Sequence, residues 1–469
     1  MKAQKVLWTP AILAGATGGK ILSGNPEAPI DTISTDTRGI APGHCFIALA
    51  GETHDGHAFV ADAVGKGAGA VIVSEWREGP LPRDCAVIMV DDTLAALGGI
   101  ARFHRLRFEV PVIAVSGSNG KTSTKEMIAA IFGQGRKVLK NKGNYNNLIG
   151  LPLTLLELNE EHRMAVVEMG INVPGEMERL ARIGSPDAGV ITNVHPAHLL
   201  GLESLDRIVE EKGALWKSLR PDGLAVVNLD DPRLSKFAAG IKARKITYSL
   251  KDPSADVGLA GQIVVSEGGT SFRLAYGGAA IPVTIPTMGM HHAQNALAAA
   301  AAAFGMGATA DEVRSGLAAY EPIKQRMQCI RLANGCVVID DTYNANPGSL
   351  MAAVEAVVAA CPGKPFVAVL GEMRELGPES PSLHFDAGRK IGAVKPSLLV
   401  TLGEMGAEIV KGAGAAGVDA ALCFHARSHE EAVAYLRRSL PECAWILVKG
   451  SRSMAMERIV EGITRGCDE

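Results

Sequence analysis

The chain has 469 residues, too many for one ordinary hydrophobic core, and a typical domain size of about 150 residues predicts about three domains. Hydrophobic residues make up 47% and charged residues 21%, the balance of a soluble globular enzyme, and a net charge of −3 removes the electrostatic case for nucleic acid or an anionic membrane. Eight scattered cysteines without a CxxC pair argue against metal-ligand spacing and predict reduced cytosolic thiols.

The first 19 residues, MKAQKVLWTPAILAGATGG, set two lysines before an apolar run, as a signal peptide does. They read better as a short helix, with Thr9 as its cap, Pro10 in its first position and Gly18-Gly19 at its end. No run of about 20 uninterrupted apolar residues follows, so no membrane span is predicted. Residues 1–108 then offer short strands, CFIAL, AGAVIVS and AVIMV, and a helix over roughly 92–107 that delivers the chain to Pro111.

From 109 to 324 the buried-strand runs VIAVS, MAVVEM, AGVITNV and LAVVNL alternate with helical patterns, which predicts a parallel sheet covered on both faces. Residues 256–286 interrupt with short antiparallel strands at Gly-Gly turns, and the Ala-rich HAQNALAAAAAAFG predicts a buried helix. From 325 to 469 the strands CVVIDD, PFVAVLG, LLVTLG, ALCFHA and WILVKG each precede a helix, giving a further open α/β sheet.

VPVIAVS runs into GSNGKTS and then a helix, TKEMIAAIFGQG. Backbone N–H groups of such a loop and the helix N-terminus point at phosphate oxygens; Lys121 would neutralise their charge and Thr122 would help hold Mg²⁺. The full phosphate-loop pattern wants a glycine where Val115 stands, so the match is the shorter GxxGKT. A glycine-rich turn with an exposed lysine is the plainer alternative; the flanking strand and helix favour nucleotide.

Glu168 closes the strand MAVVEM, and AGVITNV empties into HPAHL with His195 and His198. Each alone reads as a solvated strand-end acid or a structural imidazole. Together, on the edge where open parallel sheets bind ligands, Glu168 and one of the two imidazoles read as Mg²⁺ ligands near the phosphates. In IVEEKGALWKSL, periodicity predicts that Lys212 snorkels its charge to solvent.

GSNGKTS, GNYNNLIGLPLTLL, VVEMG, TNVHPAHL, EEKGALW, GMHHAQNALAAAA, IDDTYNANPGSL, VLGEMRELG and LVKGSRSMAME occur in the order found in the Mur ligases, and the resemblance covers essentially the whole chain. The last four, with STDTRGIAPGHCFIALAGETHDGHAF near the start, are most similar to the member that adds D-alanyl-D-alanine. The resemblance implies an α/β fold of three domains. These are a small N-terminal uridine-nucleotide domain (1–108), a central parallel-sheet P-loop ATPase-like domain (109–324) and a C-terminal Rossmann-like domain for the amine substrate (325–469).

It further implies a cytoplasmic, monomeric ATP-dependent amide ligase of peptidoglycan synthesis. The partners would be UDP-N-acetylmuramoyl-tripeptide and D-alanyl-D-alanine, with ATP and Mg²⁺ as cofactors.

Carried over by position, Gly117, Ser118, Asn119, Gly120, Lys121, Thr122 and Ser123 would form the phosphate loop. Glu168, His198 and Thr122 would hold Mg²⁺, joined by Lys212 as a carbamate, an anion in place of a cation. Asn295 would meet adenine, Arg326 the phosphates and Asp341 the ribose. Ser34, Thr37, Arg38, Asn144, Asn146 and Asn147 would face the UDP-substrate, and Asn344, Asn346, Glu372, Glu375 and Lys449 the amine side. Four positions depart from the family: His195, an added imidazole in HPAH; Met290 and His292 in Gly289-Met290-His291-His292, where Gly-Arg-His-Asn is usual; and Gln325, where a glycine precedes the arginine.

Three rivals remain. A diamino-acid-adding member of the same family should show a DNPR-like string, and none occurs. Folylpolyglutamate synthase should lack the uridine domain. A non-catalytic nucleotide switch would leave Glu168, His198 and Lys212 without a role.

Overall fold

The computed structural model describes residues 8–51, 54–195 and 204–465, which form two compact units. The first comprises the chain up to Ala114 together with Arg136–Gly170 and Glu176–Asp187; the second comprises Val115–Gly135, Ile171–Gly175 and the chain from Ala188 onward.

In the first unit, Thr9 caps the helix Pro10–Thr17 through its hydroxyl, Pro10 opens it and Gly18 ends it in the left-handed region (φ 69°), as its sequence predicts. A five-stranded sheet follows in the order Lys20–Ser23, Ala86–Met89, Ala70–Val73, His44–Ile47, Thr32–Ser34, parallel except for its first pair. Alternate residues of its strands feed two cores: Cys45, Ile47, Ile72 and Ile88 pack beneath Leu13, Leu97 and Ile100, and Phe46, Val71, Val73 and Val87 pack against Val60 and Ala63. His57, almost fully buried, closes this face. Its Nδ1 faces Asp55 Oδ1 at 2.7 Å and its Nε2 accepts from the Ser74 amide at 3.0 Å, so the imidazole pins the end of a strand. The same unit holds Lys137–Lys140 paired in parallel with His162–Glu168.

The strand Val112–Ser116, buried at every residue, carries the chain into the second unit and ends at the phosphate loop. There Ala188–Ile191, Leu224–Asn228, Arg244–Tyr248 and Val257–Leu259 lie parallel, and Gly269–Tyr276 continues the sheet antiparallel between Val264–Ser266 and Ala279–Ile285. The Gly277-Gly278 turn (φ 56° and 80°) joins two of these strands as a two-residue hairpin, for which positive φ at both central residues is required. The Ala-rich segment forms the helix Met290–Gly305, with Ala298 to Ala303 fully buried. The last sheet runs Gln328–Arg331, Val337–Asp341, Trp445–Lys449, Phe366–Gly371, Leu398–Leu402, Cys423–Ala426, parallel except for its first pair.

Several short strands lie outside the predicted set, among them Lys137–Lys140 and Arg244–Tyr248; their exposed lysines and arginine hide the apolar alternation. Among the described residues no cysteine pairs with another, and no helix is long and apolar enough to cross a membrane.

The helix after the phosphate loop, Lys121–Phe132, packs on Ala310–Ala318 with almost no space between backbones: a Cβ on Gly316 would overlap Ile131 Cα. Because backbone cannot move aside, Gly316→Val should destabilise the protein by about 1–3 kcal/mol, read as a lower urea midpoint with unchanged slope.

Candidate active site

The loop between Ser116 and Lys121 owes its shape to two glycines and one strand end. Gly117 (φ 141°) and Gly120 (φ 78°) occupy backbone regions that side chains avoid. Space excludes side chains there as well, since a Cβ at Gly117 would overlap Thr192 Oγ1 and one at Gly120 would overlap Asn295 Oδ1. The segment after Ala188–Ile191 takes up the loop's polar backbone. Ser118 N–H donates to Asn193 O (2.9 Å) and Asn119 N–H to Asn193 Oδ1 (2.9 Å), while Thr192 Oγ1 donates to Asn119 O (2.5 Å). Ser118 Oγ accepts from His195 N–H and donates to His195 O, which ties the loop to the residue just before the undescribed segment. Asp231 completes this support by capping the helix Pro232–Ala238 and accepting from Val194 N–H at 2.9 Å.

The helix that follows starts at Lys121, so its unpaired amides face the loop's concavity. Lys121 Nζ donates to Gly117 O (2.9 Å) and Ser118 O (3.3 Å), and Thr122 stands partly exposed beside it. Asn295, buried on Met290–Gly305, lies against Gly120. This arrangement suits a nucleotide's phosphates.

Lys212 departs from its periodicity. It does not snorkel; it is 3% exposed, with Nζ donating to Gly117 O at 3.3 Å. The helix Leu205–Lys217 is held with this face inward, because Trp216 Nε1 donates to Gly189 O and Gly213 packs on the Phe237 ring. Burial, then the nearby Lys121 charge, pushes the Lys212 ammonium down to about 7, with Glu211 acting the other way. At neutral pH a large share of this amine carries a free electron pair.

In the first unit, Glu168 is 4% exposed at the end of His162–Glu168. Asn141 clasps its backbone on both sides, accepting from its N–H and donating to its carbonyl. Asn146 Nδ2 donates to Glu168 Oε1 at 2.7 Å, whereas Oε2 is buried with no hydrogen-bond partner. A buried carboxylate oxygen left open in this way fits a cation ligand. His198, the remaining expected metal ligand, lies outside the described residues. Among the described residues no three His, Cys, Asp or Glu side chains gather as a metal site.

The expected UDP-substrate residues are also in the first unit. Ser34 Oγ accepts from Asp36 N–H, and Asp36 grips the exposed Arg38 through two oxygens, which lowers the Asp36 carboxyl to about 2. Thr37 O accepts from Lys66 Nζ. Asn144 is exposed on its loop, and Asn147 Oδ1 accepts from the Ile149 and Gly150 amides.

Of the C-terminal motifs, Asn346 reaches the phosphate loop. Asp341 and Lys449 form a buried ion pair (2.5 Å), and Lys449 also donates to Asn344 O. Arg326 lies over the Tyr343 ring at 4.2 Å with its Nε buried and unpartnered. Gln325 stands at φ 61°, which explains why a glycine suits that position; a side chain there costs about 1 kcal/mol. His292 packs its ring 4.3 Å from that of His291, and burial holds both imidazoles neutral, His291 down to about 4. Asn346 caps the helix Pro347–Ala360 and bonds Asn119. Glu372 is buried with both oxygens engaged, by Met405 N–H and Arg374, and Glu375 adopts φ 66°. A cavity of about 340 Å³ opens among Asn193, His195, His291, Gln294, Ala352 and Ala356.

Sequence reasoning singled out neither Asn193 nor Asp231, nor the contact between Asn119 and Asn346. Asn193 follows a buried strand that empties at the ligand edge, the one signal available for it.

Three family models cover most of the chain: Mur ligase family, catalytic domain over residues 29–105, Mur ligase middle domain over 115–303, and Mur ligase, glutamate ligase domain over 325–452. The chain belongs to the Mur ligase family. It is 37% identical over 440 residues to the UDP-N-acetylmuramoyl-tripeptide–D-alanyl-D-alanine ligase of Escherichia coli, covering 93% of this chain and 94% of that one. A crystal structure of MurF from Acinetobacter baumannii superposes with a TM-score of 0.89 at 31% identity, covering 99% and 100% of the two chains. MurF ligase of Thermotoga maritima in complex with ADP superposes at 0.84 with 25% identity, covering 93% and 98%. The family architecture of three α/β domains with parallel sheets is therefore present here.

The depressed Lys212 has a consequence for stability. Its folded pKa of about 7 lies below the unfolded value of 10.5, so between these the unfolded chain binds more protons and stability rises with pH. Lys212→Met should therefore stabilise most below pH 7, and its advantage should shrink towards pH 10, in denaturant titrations in CO₂-free buffer. A difference independent of pH would show that the lysine is not buried.

Proposed function

We propose that this chain is an ATP-dependent ligase that joins D-alanyl-D-alanine to UDP-N-acetylmuramoyl-tripeptide, completing the cytoplasmic peptidoglycan precursor. Likeness over nearly the full length to ligases of that name supports the substrates. The observation that carries the chemistry is Lys212, a buried amine of lowered basicity set against a phosphate-loop carbonyl. A nucleotide switch has no use for such a group.

A carboxylate is a poor electrophile because its two oxygens share the charge. In the reading adopted here, one carboxylate oxygen of the tripeptide attacks the γ-phosphorus, ADP leaves, and the new acyl phosphate carries a good leaving group. The dipeptide amine then attacks the acyl carbon and the tetrahedral intermediate expels phosphate, the ammonium proton passing to solvent. The backbone N–H groups at the start of the helix Lys121–Phe132 would cradle the phosphates, those of Ser118 and Asn119 being taken up by Asn193, and Lys121 would leave its two carbonyls to face the γ-phosphate. Aligning both substrates supplies a further share of the rate, of order 7–11 kcal/mol where alignment is complete.

Free Lys212 amine adds to CO₂, losing a proton, and the resulting carbamate offers two anionic oxygens where an ammonium would repel a cation. The Glu168 Oε2, the Thr122 hydroxyl, His198 and this carbamate would hold Mg²⁺, which offsets the negative charge of the meeting phosphate and carboxylate. Asn295, which lies against Gly120, would meet the adenine, and Asp341 the ribose. Residues 1–108 would take the uridine nucleotide through Ser34, Thr37 and Arg38, with Asn144, Asn146 and Asn147 toward the muramyl peptide. Residues 325–469 would take the dipeptide beside Asn344, Glu372, Glu375 and Lys449, and Arg326 would meet the phosphates.

With ATP, Mg²⁺ and both substrates the protein should form UDP-N-acetylmuramoyl-pentapeptide, ADP and phosphate in equal amounts. Tripeptide labelled with ¹⁸O in its terminal carboxylate should pass one label to the phosphate; unlabelled phosphate would exclude the acyl-phosphate route. Lys212→Ala should lower kcat by about 10³-fold or more, the scale of losing one charge-stabilising group, with partial rescue by a short carboxylic acid. Turnover near wild type in that variant would remove the carbamate from the mechanism.

A further inference from the structure

Asn119 is held on two sides. Its backbone belongs to the strand-end support, through Asn193 and Thr192. Its side chain points the other way, into the C-terminal part of the same unit, where it meets Asn346 amide to amide. Asn346 Nδ2 donates to Asn119 Oδ1 at 2.7 Å, and Asn119 Nδ2 donates to Asn346 Oδ1 at 3.4 Å. The two residues are 227 positions apart in sequence.

Asn346 is itself fixed. Its Oδ1 accepts from Ser349 N–H at 2.8 Å and its N–H donates to Ser349 Oγ at 3.0 Å, a reciprocal cap on a 14-residue helix opened by Pro347. That helix is rooted in the C-terminal core through Leu350, Val354 and Val357. The N-cap therefore does two jobs with one amide: the oxygen ends a helix, and the nitrogen reaches a residue inside the phosphate loop. An ordinary N-cap such as serine performs the first and is too short for the second.

We infer that Asn346 is a positioning residue for phosphoryl transfer, acting through Asn119 to hold the phosphate loop against the C-terminal sheet. The inference rests on the ligase reading and adds to it a specific strut. Lys121 and Lys212 both take their carbonyl partners from this loop, so a displaced loop misplaces both amines together. The half of the protein assigned to the incoming amine thereby sets the geometry of the half that activates the acid.

The test separates the strut from the cap. Asn346→Ser keeps a capping oxygen, Asn119→Ala removes the other end, and the double variant closes a thermodynamic cycle. Each single change should lower kcat by about tenfold, the scale of one or two lost hydrogen bonds, with the KM for the UDP-substrate unchanged and the melting midpoint within about 2 °C. The double variant should be no slower than the worse single one. In parallel, amide hydrogen exchange of residues 117–122 by mass spectrometry should speed up about tenfold in Asn346→Ser, a readout independent of turnover. Wild-type enzyme that makes no pentapeptide while exchange still responds would fault the ligase reading and leave the strut. Unchanged exchange, fully multiplicative losses in kcat, or losses that track a fall in melting midpoint would each overturn the strut.

Discussion

The structure of this site depends on one exchange of hydrogen bonds. A tight loop that leads straight into a helix cannot satisfy its own polar backbone groups internally, and here the strand end Thr192-Asn193 satisfies them, taking the Ser118 and Asn119 amides and the Asn119 carbonyl. Close approach follows, and only glycine fits at 117 and 120, where Thr192 and Asn295 press on the backbone. The helix start at Lys121, the carbonyls that hold Lys121 and the carbonyl offered to Lys212 are consequences of that fit. Asp231 extends it outward by fixing Val194, so a helix cap in one connection stabilises the floor of the site in another.

Against that floor, Lys212 is a cost. A buried ammonium with one long carbonyl contact forfeits several kcal/mol of hydration, and stability would favour methionine there. The helix could have turned the lysine outward, as its spacing suggests. It is prevented by the Trp216–Gly189 bond and by the contact of Gly213 with Phe237, both of which fix the face that carries residue 212 inward. A lysine held at a loss in this way has been made less basic, which is the property a CO₂-accepting amine requires.

The parts of the fold legible in sequence were those whose burial is uniform. Val112–Ser116 and Leu224–Asn228 are buried at every position, and the alanine helix is hidden on all sides, so composition alone announced them. Arg244–Tyr248 was not legible, since two exposed charged residues precede its first buried one. The phosphate loop was readable because its chemistry is local, seven residues with a strand before and a helix after. The burial of Lys212 was not readable from periodicity, because its helix is held by contacts with other elements, Trp216 with Gly189 and Gly213 with Phe237. Asn346 stood out as part of a motif, yet its partner lies 227 residues away, and spacing carries no information about such a pair.

Two buried glutamates show why geometry, more than burial, separates an open ligand from a closed one. Glu168 and Glu372 are equally hidden, at 4% and 3% exposure. Glu372 has both oxygens occupied, one by the Met405 amide and one by Arg374, so its charge is already neutralised and its carboxylate braces the loop carrying Met405. Glu168 has a single neutral partner, Asn146, which orients the group without cancelling its charge, while Asn141 fixes the backbone beneath it. A buried carboxylate oxygen in that condition has room for a further partner, which Glu372 lacks. Asn146 thus engages one oxygen and leaves the other without a partner, and the two asparagines that clasp Glu168 fix which oxygen stays open.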